Sequence, residues 1–229
     1  MTRKTRVILC NYIKGGAGKT TLAVHIAGIL NEQTIRKILL VDCDPRPDSW
    51  KFFSGSRPDI PQKELSLPNN IDLRWNPPQS KGSRFKPITK RDWELYDYVV
   101  IDADSPPEDA LTILSDSLPN IFLVPISESQ SHAIEDISVF ISDLEREIKF
   151  QQLTSIYYNP IIKVVPLGLS SEEIENELNI DNFSIQVEIC TPMQSLAAET
   201  RKSLKEKKYI WKYANLENTK TYFIDLIKE

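Results

Sequence analysis

The sequence predicts an α/β fold, a mostly parallel twisted sheet with helices on both faces. Three observations carry that expectation. Short apolar segments alternate with longer amphipathic ones, the pattern of strands joined by crossover helices. A glycine-rich run, Lys14-Gly15-Gly16-Ala17-Gly18-Lys19-Thr20-Thr21, stands between an apolar stretch (Val7, Ile8, Leu9) and a helical one (Leu22 to Leu30). Two further apolar stretches end in carboxylates, Asp42-Cys43-Asp44 and Asp102, at the strand ends where α/β sheets gather their ligands.

In chain order, strands are expected at Val7–Asn11, Ile38–Asp42, Tyr98–Asp102, Asn120–Pro125, Thr154–Tyr158 and Ile185–Ile189. Helices are expected at Thr20–Glu32, Pro107–Asp116, His132–Lys149, Ser170–Glu177, Pro192–Lys205 and Leu216–Ile227. Residues 45–87 are the irregular part, since eight of the fifteen prolines lie there. Proline removes ladder donors, so this stretch reads as a surface excursion rather than a central strand. It holds one short helix, Asp48–Phe53, and an edge strand at Ile71–Trp75.

Composition narrows the function. Hydrophobic residues make up 41% and charged residues 26%, the balance of a globular protein, and 229 residues suit one well-buried domain over 1–229. A net charge of −4 provides no global basic field, so any contact with nucleic acid needs a local patch. Three scattered cysteines (Cys10, Cys43, Cys190) exclude a disulfide framework and a zinc site. No apolar run approaches the roughly 18 residues of a spanning helix, and the start lacks a signal sequence, so a cytoplasmic protein is expected.

The glycine-rich run has the context of a phosphate-binding loop. Glycines let successive backbone N–H groups turn inward around an anion, and the helix beginning near Thr20 adds the positive end of its dipole. Gly15, Gly16, Ala17, Gly18 and Thr21 would form the cradle. Lys19 would reach the β- and γ-phosphates, and the Thr20 hydroxyl would ligate Mg²⁺. In the Asp42–Asp44 segment, alternation along the strand points both carboxylates to one side.

One position departs from the general motif G-x-x-x-x-G-K-[ST]: Ile13 replaces its first glycine, and a second lysine, Lys14, precedes the double glycine. The resulting K-G-G-x-G-K-T resembles the deviant Walker A box of the ParA/MinD ATPases. The resemblance implies that Lys14 crosses a dimer interface to the phosphates of the partner's nucleotide. Ile38 to Pro45 resembles the family's D-x-D-P box, which implies that Asp44 positions the attacking water and that Asp42 supports Mg²⁺. Arg46 stands where relatives often carry glutamine. Tyr96 to Asp102 resembles the Walker B strand, implying a magnesium role for Asp102, with two extra residues before Pro106-Pro107. Asp104 in that insertion is either a loop cap or a second water-positioning acid. The strand ending Val124-Pro125 also fits. Asn159 sits where relatives carry an asparagine that hydrogen-bonds adenine, although Pro160 replaces the usual arginine.

The resemblance covers most of the chain, with specific motifs in residues 7–44 and 96–127. It is strongest to the short plasmid-partition ParA proteins without an amino-terminal DNA-binding domain. It implies an ATPase that uses ATP and Mg²⁺, forms a homodimer with ATP, binds DNA nonspecifically and works with a ParB-like or other adaptor to distribute cargo. Turnover is expected to be slow and partner-stimulated, and DNA binding would place the protein on the nucleoid. Near the carboxyl end, Arg201, Lys202, Lys205, Lys207, Lys208 and Lys212 fall within twelve residues. Arg201, Lys205, Lys208 and Lys212 recur at helical spacing, so one helix would show a cationic stripe able to grip phosphates. Two alternatives remain: a metabolic P-loop enzyme, and a MinD-like membrane-cycling ATPase. The latter needs a basic terminal helix, whereas the last helix here mixes Lys220, Asp225 and Lys228 around Tyr222, Phe223, Leu226 and Ile227.

Overall fold

The computed structural model describes residues 5–12, 15–33, 36–60, 64–77, 93–103, 107–128, 134–154 and 158–228. Its strands are β1 (Arg6–Asn11), β2 (Ile38–Asp42), β3 (Glu64–Ser66), β4 (Ile71–Trp75), β5 (Tyr98–Ala103), β6 (Ile121–Ser127), β7 (Ile161–Leu167) and β8 (Gln186–Ile189). They form one sheet in the order β3-β4-β2-β5-β1-β6-β7-β8. Every pairing is parallel except β3 with β4. The helices are α1 (Lys19–Gln33), α2 (Asp48–Ser54), α3 (Pro107–Ser117), α4 (Ile137–Thr154), α5 (Ser171–Glu175), α6 (Ala197–Glu206) and α7 (Thr219–Leu226), with a 3₁₀ turn at Ile210–Lys212.

Strand alternation sorts the core into two layers. Val7, Leu9, Leu39, Val41, Val99 and Ile101 pack against α3, α4 and α5, through residues such as Ile113, Phe140 and Ile174. Ile8, Cys10, Ile38, Leu40 and Val100 face the opposite way, onto α1, Trp50 of α2, Trp211 and Phe223 of α7. A period-2 pattern with apolar residues in both phases requires cover on both faces, which the helices supply.

The structure moves three elements from where the sequence put them. The strand expected at Thr154–Tyr158 lies later: α4 runs on through Thr154, residues 155–157 lie outside the described set, and the strand begins at Ile161. That strand contains Lys163 and Pro166, which break its apolar signature. Lys163 is nevertheless buried, its ammonium donating to the Lys228 carbonyl at 2.5 Å beside Glu188. The Ile71–Trp75 strand is not an edge, because β3 pairs outside it. The predicted Pro192–Lys205 helix starts only at Ala197; Met193 instead bridges to Leu167 and extends the sheet beyond β7.

Candidate nucleotide site

β1 lies between β5 and β6, and all three end on one side of the sheet. Beyond the end of β1 the chain turns through Gly15–Gly18 into α1, where the Leu22 N–H donates to the Gly18 carbonyl at 2.9 Å. Gly16 and Gly18 adopt φ of +77° and +111°, backbone that a side chain would strain. A Cβ on Gly18 would lie 2.4 Å from Leu167 Cδ1, so the end of β7 closes directly on the loop. Lys19 is 4% exposed and its ammonium donates to the Tyr12 carbonyl at 3.1 Å, which folds the lysine back over the loop. Ile13 and Lys14 lie outside the described residues, as does Asp104.

Asp42 and Asp102 are register neighbours on β2 and β5, both about 1% exposed. Their environments differ. Asp42 Oδ1 accepts the Asp44 N–H at 3.0 Å, while Oδ2 accepts the Ser49 hydroxyl at 2.7 Å and the Trp50 N–H at 2.9 Å. It braces the Asp44 turn and ties down the start of α2. Asp102 has no hydrogen-bond partner on either oxygen among the described residues. Burial raises both groups, pushing Asp42 up to about 7 and Asp102 well above the usual carboxylate range. Asp42 raises Asp102 further, and the nearby Thr20 and Ser49 hydroxyls offset this only in part. A buried carboxylate left without a donor beside Thr20 fits a hydrated divalent cation, so Thr20 and Asp102 are the pair that could hold Mg²⁺. Asp42 already accepts three hydrogen bonds from the protein and so braces the Asp44 turn and the start of α2.

Asp44 is half-exposed at the cleft. Its Oδ1 accepts the Arg46 N–H at 2.6 Å and its carbonyl accepts the Trp75 indole N–H at 2.8 Å. Arg46, the departure from the family box, thus closes the Asp44 turn through its backbone, which any residue except proline could do.

The cleft holds about 410 Å³ and is lined by the loop (Gly16, Gly18, Lys19, Thr20, Thr21), by Asp44 and Asp48, and by a far wall. That wall consists of Ser127, Glu128, Leu167, the 193–197 segment and the α6 residues Thr200, Arg201 and Leu204. It is pinned locally: Ser127 Oγ donates to the Gly16 carbonyl at 3.3 Å, Gly168 N–H to the Met193 carbonyl at 2.9 Å, and Ser195 Oγ to Glu128. None of the wall stood out in the sequence except Arg201, and that in a different role. A signal existed in Val164-Val165-Pro166-Leu167-Gly168, an apolar run ending in a glycine that adopts φ of +83°.

The match that decides the family covers residues 8–209, which fit the family model for the CobQ/CobB/MinD/ParA nucleotide-binding domain. The chain belongs to this family. A search of curated protein sequences finds no match. Among solved structures, an ATP-bound McdA variant from Cyanothece is similar at TM-score 0.67 and 15% identity, covering 97% of this chain and 95% of that one. A ParA family ATPase from Chlorobium tepidum gives 0.64 and 16%, with 97% of each chain covered. The cell division ATPase MinD from Pyrococcus furiosus gives 0.59 and 16%, again with 97% of each. At these identities the likeness establishes the fold.

Two site assignments are corrected, one implied by the ParA/MinD resemblance and one read from residue spacing. Asn159 is exposed and precedes β7, beside Asn120 at the amino-terminal edge of the parallel strands. Seven strand residues at roughly 3.3 Å each separate it from the Leu167 end that meets the phosphate loop, so it does not reach a nucleotide there. The error followed from placing the strand before Asn159 rather than after it. The cationic stripe is also not one helix. Lys207 ends α6 in the left-handed conformation, φ 55°, so only Arg201 and Lys205 share a helical face. Lys212 and Lys220 both pair with Glu32, at 3.3 and 2.8 Å, and Lys207 donates to the Gly55 carbonyl. Lys202 and Lys208 converge instead on the Tyr213 ring, 5.0 and 4.5 Å from its centre, while the Tyr213 hydroxyl donates to Glu206.

The strap between α1 and the carboxyl-terminal segment is His25, fully buried. Its Nδ1–H donates to the Thr21 carbonyl at 2.7 Å, and Nε2 accepts the Ile210 N–H at 3.0 Å with the Ser203 hydroxyl 3.3 Å away. It stacks on Phe223 at 4.8 Å, and burial lowers it to about 4, so it is neutral. Phe223 and Leu226 are buried against this group, so the apolar stripe of α7 is spent inside the protein.

Proposed function

We propose that this chain is one ATPase domain of the partition and positioning kind, hydrolysing ATP with Mg²⁺. The observation that supports the reading is the Asp102 carboxylate, buried with no partner in hydrogen-bonding geometry among the described residues, near the Thr20 hydroxyl at the start of α1. The loop N–H groups and Lys19 would take the phosphates, and Thr20 with Asp102 would hold Mg²⁺. The cation supplies charge neutralisation on the phosphoryl oxygens when bound. Asp44, braced by Asp42, would orient the attacking water. Among the described residues no strong general base stands in the cleft, so unstimulated turnover should be slow.

Lys14 would act in trans in an ATP-bound homodimer, offsetting the repulsion between two triphosphates brought face to face. DNA would bind nonspecifically at the Lys202–Tyr213–Lys208 cluster, assisted by Lys205, and an adaptor of the ParB-like class would stimulate turnover and supply the cargo. Such a protein would work in the cytoplasm on the nucleoid. The burial of Phe223 and Leu226 disfavours the membrane-cycling alternative, which needs that stripe free. Light scattering during size exclusion, with ATP and with ADP, tests the scheme. Wild type should dimerise with ATP only, Lys14→Ala should remain monomeric, and Asp44→Ala should accumulate as a dimer. Monomers throughout would overturn the sandwich and favour a metabolic P-loop enzyme.

A further inference from the structure

Helix α6 has three differently occupied sides. Ala197, Thr200, Arg201 and Leu204 recur at i, i+3, i+4 and i+7, and all four line the cleft opposite the phosphate loop. Ala198, Glu199 and Lys202 turn away toward Tyr213, Asn215 and Leu216. Ser203 points inward, donating to the Lys208 carbonyl at 2.6 Å beside His25. Adjacent cations therefore diverge: Lys202 joins the outer cluster, whereas Arg201 belongs to the cleft. Arg201 is exposed and makes no hydrogen bond or ion pair among the described residues.

The charge inside the cleft gives this placement a consequence. Its described charged lining comprises Lys19 on the loop side, three carboxylates (Asp44, Asp48, Glu128), and Arg201 on the far wall. A polyphosphate entering the cleft meets a cation from the loop on one side and repulsive carboxylates along the rim. Arg201 is the group placed to answer that repulsion, and its planar fork can take two phosphoryl oxygens at once. We infer that Arg201 is a phosphate-binding residue of the nucleotide site, closing α6 onto the polyphosphate from the wall facing the loop, rather than part of the DNA-binding surface. The inference rests on the nucleotide reading above. It adds a contact supplied by this chain's own α6, so that filling the cleft holds the helix whose other side carries Lys202.

The test compares wild type with Arg201→Gln and Arg201→Lys by calorimetry, using Mg·ATP, ADP and adenosine, and by retention on unrelated DNA duplexes. Arg201→Gln should weaken Mg·ATP at least about tenfold, the size expected for losing a charged hydrogen-bond pair. Adenosine binding should stay unchanged, and Arg201→Lys should recover part of the loss. Unchanged Mg·ATP affinity in Arg201→Gln, with or without loss of DNA retention, would overturn the inference. Equal weakening of adenosine and ATP would also overturn it, because the contact would then be to the nucleoside. Failure of wild type to bind Mg·ATP would remove the nucleotide reading itself. Arg201 is exposed and unbonded, so these variants should melt like the parent.

Discussion

The two walls of the cleft are built by opposite means. The loop wall, residues 15–22, is one contiguous segment whose shape is set locally: two positive-φ glycines, a strand before and a helix after. The far wall is assembled from Ser127–Glu128, Leu167 and residues 193–204, three segments drawn together by the sheet order β1-β6-β7-β8, the Leu167–Met193 bridge and the Gly168–Met193 and Ser195–Glu128 hydrogen bonds. A local motif advertises itself through residue spacing. A tertiary wall does not, because its members share no periodicity.

The largest difference should appear at the base of the loop wall. Lys19→Ala removes the buried cation of the loop, whose ammonium donates to the Tyr12 carbonyl, and Mg·ATP affinity by calorimetry should fall roughly a thousandfold, more than for any single far-wall change. A far-wall substitution that cost as much would erase the contrast.

Next comes the strap that joins the two walls. His25 is neutral and buried, with a folded-state value near 4 against about 6.5 in an unfolded chain. Because the folded value is depressed, its contribution is complete above about pH 6.5 and is lost as the pH falls toward 4. The loss is on the order of 3 kcal/mol. Denaturant unfolding across that window should show the decline, and His25→Gln, less stable at neutral pH, should flatten it. An equally steep decline in the variant would assign the effect to other groups.

A smaller effect separates the two carboxylates. Asp102 is raised by burial and by Asp42, so without a cation its ionised form costs stability, and that cost grows as the pH rises. Asp102→Asn should therefore melt a few degrees higher than wild type at pH 8 without ligand, yet lose most of the magnesium dependence of nucleotide binding. Asp42→Asn, which disrupts an occupied brace, should melt lower. The same direction of change in both variants would contradict the division of roles. The smallest effect belongs to the outer side of α6. Lys202→Gln with Lys208→Gln should reduce the salt dependence of DNA retention by about one or two phosphate contacts and leave Mg·ATP affinity unchanged.

How much was legible in the sequence follows the same contrast. The strands that flank the loop could be read as apolar runs, Asp42, Asp44 and Asp102 because they stand at or just past the ends of such runs, and Lys19 and Thr20 because they close a glycine-rich run between strand and helix. β7 could not, because Lys163 and Pro166 break its run, and misplacing it carried Asn159 to the wrong edge of the sheet. The cationic stripe failed for a backbone reason: nothing in Glu206-Lys207-Lys208 announces that Lys207 leaves the helix through a left-handed residue. Ion pairing then consumed Lys212, through a glutamate 180 residues away in sequence.

Hydrogen–deuterium exchange on the full chain, without nucleotide and with a nonhydrolysable ATP analogue plus Mg²⁺, tests most directly whether the cleft is one nucleotide site with two walls. The account predicts protection of two separated segments together, the loop and start of α1 (residues 15–22) and the far wall with α6 (residues 193–204). Protection confined to the loop, with residues 193–204 unchanged, would contradict it.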